Sequence, residues 1–495
     1  MNELGMIAID LGASNGRVVY GRLKDNRIDM QELHRFENRP VAVNGVLYWD
    51  ILSLFAEIET GIRRAVEQGL DFSTAGVSSW GNTVGLFDKN KDLLMNPVHY
   101  RDANPRSILK ELHGKVSEET MFQRTWYKPM DIQPAVFLRY MMKKNPGLMK
   151  QVSTVLMISD VITWFLTGEM KSEITQAATS QLIDMDRMDW DAEYMKELGL
   201  DAGWFPRVLQ FEETIGEMRP EIAGKKGVKV VAVAGHDTAS AASCAASCER
   251  EKSLYLSCGT WSCMGCVTDG IKRDMRLFRA GVTNDLGLNG EKQLRFNHTG
   301  LWILQECRRF WEQDGSTIPW EVLNRETEEA EPFLAVIDTK ADDFFRRDDM
   351  PKKVADYCRR TGQRTPKTRG ETCRVILESL AMRYRYSKER LEECSGDTYK
   401  MMSMLGGGAK NRILCGFAAN AMGIPVEAGP AEATTLGSFM QQAAAAGRLA
   451  DLEEGRRIVR SGEEIRRFEP KDRQIWNDKY LEALRITGWA EHREV

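Results

Sequence analysis

Residues 6–23 read MIAIDLGASNGRVVYGRL. An apolar run stops at Asp10, a glycine-rich turn follows, and RVVYGRL sends the chain back. The pattern predicts a strand, a tight turn and a second strand. The scheme returns at 253–268, SLYLSCGTWSCMGCVT. IDLGASNG and LSCGTWSC can be laid over each other with a glycine and the small or hydroxyl residue after it in register. Between these hairpins lie a helical stripe at 51–69, a strand with a turn at 72–88, a mostly helical stretch from about 105 to 200, and a buried strand, VKVVAVA, at 228–234. After the second hairpin, residues 399–449 read as strand, triple-glycine turn, helix, strand and helix. Strands alternating with helices imply a parallel or mixed sheet covered by helices. Two halves, each opened by a Gly–hydroxyl hairpin, predict duplicated lobes with a cleft between them. The last 50 or so residues are expected to be helical, and the charged clusters at 340–370 to form a solvated helical surface.

At 495 residues the chain is too long for one core, which predicts more than one domain. The expected divisions are 1–245, 246–450 and a terminal helical segment, 451–495. A net charge of −4 with 28% charged residues argues against a nucleic-acid or anionic-membrane partner. No apolar run reaches the length of a membrane span, and MNELGMIAID carries no secretory pattern, so a cytoplasmic protein is expected, as a monomer or homodimer. All ten cysteines follow residue 243. Cys244, Cys248, Cys263 and Cys266 superficially resemble a zinc set. But an i, i+3 pair on a strand points to opposite faces, so they are expected to be reduced core residues.

The chemistry is expected where strands end. Asp10 closes the first strand, and Gly12, Ala13, Ser14 and Gly16 leave an open turn whose N–H groups suit a phosphate. Arg17 adds a fork for phosphate oxygens. Gly259, Thr260 and Ser262 occupy the equivalent turn. Gly406, Gly407 and Gly408 would let a flat ring or ribose come close to the backbone. In AGHDTASAAS, 234–243, Asp237 stands between a strand and a helix of small residues. It could cap that helix, or it could act on a ligand at the carboxyl end of the sheet.

Taken in order, DLGASNGRV, HRFENRPV, YWDI, LTGE, AGHDTASA, LSCGTWSCMG, NHTGLWILQECRRFW, GGGAKN and AGPAEATTLG resemble the FGGY carbohydrate kinases of the actin–Hsp70–sugar kinase superfamily, over nearly the whole chain. The resemblance implies an α/β fold of two duplicated actin-like (ribonuclease H-like) lobes with ATP and a sugar in the interlobe cleft. It implies transfer of phosphate from ATP to a ketose hydroxyl, L-rhamnulose foremost, with L-fuculose or L-xylulose as alternatives. A non-catalytic sensor of sugar or nucleotide is the contrasting class. The resemblance makes Asp237 the general base and Asp10 the holder of Mg²⁺. Ala13, Ser14, Asn15, Gly16, Arg17 and Thr260 would serve the ATP phosphates, with Gln305 and Gly407 near the nucleoside. Gly81, His236, Asp237, Thr238 and Asn297 would line the sugar site. One stretch departs from the pattern: SSWGNTV, 78–84, carries Ser78 and Thr83 where the branch closest to this chain has carboxylates. That predicts a shifted sugar preference. Arg101 and Asp102 are further candidates for the sugar wall, or else a surface ion pair.

Overall fold

A computed structural model describes residues 3–245 and 252–489. The first hairpin forms as its alternation requires, Leu4–Leu11 running antiparallel to Asn15–Lys24 with Asp10 opposite Arg17. A third strand, Arg27–Glu37, continues the meander. On its other side the first strand pairs in parallel with Thr74–Ser79, after which come Lys229–Val231 and Thr214–Glu217. The result is a six-stranded mixed sheet. The connecting helix, Ile51–Glu67, is capped by Asp50 and buries Ile51, Leu54, Ile58 and Ile62 on the sheet side.

The second half repeats the plan. Ser253–Cys258 and Trp261–Thr268 form the hairpin, Lys292–Thr299 is the third meander strand, and Met401–Leu405 joins in parallel. Val426–Ala428, Arg466–Phe468 and Thr283–Leu286 complete a seven-stranded sheet. The long helix Arg369–Ser395 starts at a Thr368–Glu371 capping box, ends at Gly396 in the left-handed region, and is buried along most of its length.

Several expectations change in detail. The segment 105–200 is helical in pieces, among them Arg106–Lys115, Pro134–Lys144 and Ile158–Thr167, with short strands between. The two strands of 72–88 do not pair with each other; Val84–Phe87 turns away to meet Thr154–Met157. The strand at 228–234 ends at Val231, where Val233 N–H turns back to Val231 O at 3.0 Å, and Ala234 N–H then goes to Gln441 Oε1 at 2.5 Å. The C-terminal stretch contains the strand Arg466–Phe468 between the helices Leu452–Gly462 and Arg473–Ile486. Within the charged region 340–370, the α-helix ahead of the long one at Arg369 is Met350–Arg360, with Met350, Val354, Tyr357 and Cys358 buried under its exposed ion pairs. Among the described residues no helix is long and apolar enough to cross a membrane.

The halves meet at two helices. Asp237–Ser243 crosses Ala433–Ala445, which also packs on the first strand and on Thr74–Ser79 of the other half's sheet. At the crossing, a Cβ on Gly437 would lie 2.1 Å from Ser240 O. The small residues after Asp237 therefore serve this close approach of two backbones. Gly437→Ala should cost on the order of 1–3 kcal/mol of stability. Thermal or urea unfolding checks this, and an unchanged midpoint would show that the helices can separate freely.

Candidate functional site

A cleft of about 530 Å³ opens between the halves. Both hairpin turns reach it, and each is held by backbone bonds. In the first, Gly12 N–H donates to Asn15 O at 2.8 Å, while Asn38 donates from its side chain to Gly12 O and from its backbone to Ser14 O. That leaves Ala13, Ser14 and Asn15 on the cleft wall. Gly16 does not line it: a Cβ there would fall 2.4 Å from the Phe36 ring, so this glycine makes room for the neighbouring strand. In the second turn, Gly259 N–H donates to Trp261 O at 2.7 Å, and Gly300 N–H to Thr260 O at 3.0 Å. Thr260 and Gln305 line the cleft, their side chains 3.4 Å apart. Ser262 points the other way, 2.8 Å from the Tyr384 hydroxyl.

The three consecutive glycines have three separate causes. Gly406 adopts φ +78°, which the turn out of Met401–Leu405 needs. Gly408 sits against the second hairpin, where a Cβ would be 2.2 Å from Cys258 Sγ. Gly407 has nothing within 4 Å of its would-be Cβ and faces the cleft.

Asp237 is the first residue of its helix, and the cap position is His236, which makes no side-chain capping bond. The carboxylate expected at the cap thus sits one residue inside it, where the Thr238 backbone N–H donates to it. It accepts from Thr238 Oγ1 at 3.1 Å and retains 31% of its side-chain exposure, towards the cleft. Burial, and then the charge of Asp10, push its pKa up to about 7. Its loop is held from behind. Glu173 accepts from Gly235 N–H at 2.9 Å, Thr175 Oγ1 accepts from His236 N–H at 3.1 Å, and Gln176 donates to Gly235 O at 2.8 Å and to Trp80 O at 3.1 Å. His236, Thr238, Gly81 and Asn297 line the same cleft. The Asn297 Oδ1 is buried without a partner.

Asp10 accepts from Arg17 Nη2 at 2.6 Å and Nε at 3.0 Å, and from Thr435 Oγ1 at 3.1 Å. Arg17 Nη1 bonds Glu432, whose other oxygen accepts from Lys410 at 3.0 Å. Burial works against the Arg17 charge, but Asp10 and Glu432 more than offset it and raise its pKa. Among the described residues no three His, Cys, Asp or Glu side chains converge on a metal site. A Mg²⁺ ion at Asp10 would thus take most of its ligands from phosphate and water, as that ion commonly does. Of the four grouped cysteines, Cys248 lies outside the described residues. Cys263 lines the cleft while Cys266, on the same strand, is in the core.

Two sequence-based candidates go elsewhere. Ser78 is buried and donates to Ala234 O at 2.8 Å; Thr83 is buried and accepts from Trp80 Nε1 at 3.0 Å. Neither lines the cleft, so the argument for a shifted sugar preference loses its physical basis. Arg101 and Asp102 form no surface ion pair with each other. Arg101 stacks 4.4 Å from the Trp302 ring, and Asp102 accepts from Leu47 and Asn104 backbone N–H groups. Conversely, the cleft also contains Tyr127, Arg295, Lys410 and Glu432. Glu432 and Lys410 stand inside AGPAEATTLG and GGGAKN, so their charges on strand-end turns were a usable signal. Tyr127 and Arg295 carried none, because only the tertiary fold brings them together.

Models of the FGGY family of carbohydrate kinases match this chain with their N-terminal domain at residues 5–244 and their C-terminal domain at 254–446. A rhamnulokinase of Bacteroides thetaiotaomicron is 33% identical over 477 residues, covering 96% of this chain and 97% of that protein. A rhamnulokinase of Bacillus subtilis is 31% identical over 469 residues, covering 94% and 95%. Among solved structures, the xylulose kinase from Rhodospirillum rubrum superposes with a TM-score of 0.77 at 16% identity, over 99% of both chains. Plasmodium falciparum glycerol kinase with ADP gives 0.76 at 14%, over 98% of both.

The glycine geometry separates packing from access. Gly408→Ala should lower the unfolding midpoint, since overpacking of this kind costs about 1–3 kcal/mol. Gly407→Ala should leave the midpoint within experimental scatter. Equal midpoints for the two variants would contradict the assignment of Gly408 to packing.

Proposed function

The chain belongs to the FGGY family of carbohydrate kinases, and from that premise we propose that it transfers the γ-phosphoryl group of ATP to a hydroxyl of a ketose, L-rhamnulose foremost. The observation that carries this is Asp237: a carboxylate on the first residue of a helix, open to the cleft, with its pKa near 7 and both hairpin turns on the same cleft. The relatives named rhamnulokinase, matched along almost the whole chain, support the choice of sugar. The nucleotide side is Ala13, Ser14, Asn15, Arg17, Thr260, Gln305 and Gly407. The sugar side is Gly81, His236, Thr238 and Asn297.

In the proposed reaction the sugar hydroxyl oxygen attacks the γ-phosphorus as the bond to the bridging β,γ-oxygen breaks, releasing ADP. Asp237 accepts the hydroxyl proton. A carboxylate poised near the working pH is well matched to that task. Arg17 and Lys410, now paired with Asp10 and Glu432, supply positive charge where phosphates would lie. Mg²⁺, when bound near Asp10, would neutralise phosphate charge.

Turnover on L-rhamnulose, L-fuculose, L-xylulose and D-xylulose, followed by ADP release, tests the substrate. The highest kcat/KM is expected for L-rhamnulose; a preference of tenfold or more for another sugar would overturn that choice. Asp237→Asn should lower kcat by about 10²–10⁴-fold. Its stability should not fall with it. A carboxyl whose pKa is raised on folding binds more protons in the native state, so stability declines as pH rises from about 4 towards 7. Asn has no such loss, and at pH 8 the variant should melt no lower than the parent. In the parent, kcat/KM should climb with pH and level off above an apparent pKa near 7. A flat profile from pH 5 to 9 would remove Asp237 from the role of base.

A further inference from the structure

Arg295 is buried to 3% exposure on the strand Lys292–Thr299, yet it lines the cleft. Both terminal nitrogens of its guanidinium are directed, while Nε is buried without a partner. Nη1 pairs with Asp285, itself 3% exposed, on the adjacent strand Thr283–Leu286. Nη2 donates to the Tyr127 hydroxyl at 2.6 Å. Nη1 also lies 3.4 Å from His236 Nδ1. Tyr127 and His236 belong to the first half of the chain and Arg295 and Asp285 to the second, so the contact spans the cleft.

We propose that Arg295 is a positioning residue that fixes the proton of His236 on Nε2 and so turns the imidazole into a hydrogen-bond donor beside Asp237. A guanidinium has donors and no acceptor, so the nitrogen facing it must offer a lone pair. In a neutral imidazole the proton then resides on the other nitrogen. Neutrality is enforced twice: burial, and then the Arg295 charge, hold the His236 pKa well below its usual value. Backbone and ring are both held, since His236 N–H donates to Thr175 Oγ1 at 3.1 Å. Nε2 ends 3.7 Å from Asp237 Oδ1, too far for a direct hydrogen bond. A substrate hydroxyl lying against both would accept from Nε2–H and hand its own proton to Asp237. This last step rests on the proposed kinase reaction; the tautomer does not.

The test separates the two. With histidine ¹⁵N-labelled, the imidazole signals of the six histidines can be recorded on the substrate-free protein, and His236→Gln identifies those of residue 236. The wild type should show His236 neutral with its proton on Nε2. Arg295→Lys keeps a cation for Asp285, so it should fold, but it lacks the fork that reaches Nδ1. It should shift His236 towards the other tautomer and lower kcat on the order of 10- to 100-fold, with KM for ATP unchanged. Arg295→Met combined with Asp285→Leu removes the buried pair without leaving a lone charge, and should give the same imidazole shift if lysine proves unstable. His236→Gln, whose amide N–H stands in for Nε2–H, should retain more activity than His236→Asn. A wild-type proton on Nδ1, or an imidazole spectrum unmoved by either change at Arg295, would overturn the assignment whatever the enzyme's turnover. Absence of turnover on every sugar, with the tautomer as expected, would instead count against the kinase reading alone.

Discussion

Everything at the cleft depends on one helix reaching across from the second half of the chain. Ala433–Ala445 lies on the first half's sheet, and its backbone touches that of Asp237–Ser243 at Gly437. Along its length it bonds to the first strand at two points and to the turn after Lys229–Val231. Thr435 donates to Asp10 at 3.1 Å, Gln441 accepts from Ala234 N–H at 2.5 Å, and Gln442 donates to Ile7 O at 3.0 Å. Ser240 donates back to Thr434 O at 2.9 Å. Asp10 and Asp237, the two carboxylates proposed for chemistry, are therefore indexed to one rigid element. Without a glycine at the crossing, those bonds could not form together.

Behind the loop that carries Asp237, a second constraint works through buried polarity. Glu173 accepts from Thr175 and Gln176 N–H groups, from Thr175 Oγ1 at 2.6 Å and from Gly235 N–H. Gln176 spreads its amide over Ser79, Trp80 and Gly235 carbonyls. Gly235 must lack a Cβ, which would stand 2.8 Å from the Glu173 carboxylate. Asp160 lies alongside; burial, and then the Glu173 charge, raise its pKa strongly, and burial raises that of Glu173 as well. Such a network is costly to leave half-satisfied, which is why it fixes one loop geometry rather than several.

How much of this was legible depends on range. The hairpins, the triple glycine and the carboxylates at strand ends are local patterns, and the two-lobed fold follows from repeating them. The FGGY resemblance rested on the same local motifs in order, and the family match confirms it. Local patterns misled where a side chain's direction mattered. Gly16 and Ser262 sit in the right turns but face Phe36 and Tyr384. Ser78 and Thr83 sit in the expected stretch but are spent on Ala234 and Trp80. Asp237 is one residue inside the helix rather than at its cap. Contacts between distant segments, such as Tyr127 with Arg295 and Arg17 with Glu432, have no sequence signature, because neither partner's neighbours disclose the other.

The charges of the cleft explain why Asp237 is a weak acid. Asp10, Asp237 and Glu432 face the same space, and Arg17 answers only the first and last of them. Asp237 has no cation of its own: Arg295, whose charge acts on it last among its influences, is held by Asp285. Left between burial and the Asp10 charge, it holds its proton until about neutral pH. An arriving polyphosphate would add negative charge and push Asp237 further up unless cations arrive with it. A divalent ion at Asp10 would have the opposite effect, cancelling the charge that, after burial, most opposes ionisation of Asp237. The proposed nucleotide and metal thus act on Asp237 in opposite senses, the metal offsetting at Asp10 the charge that the phosphates add.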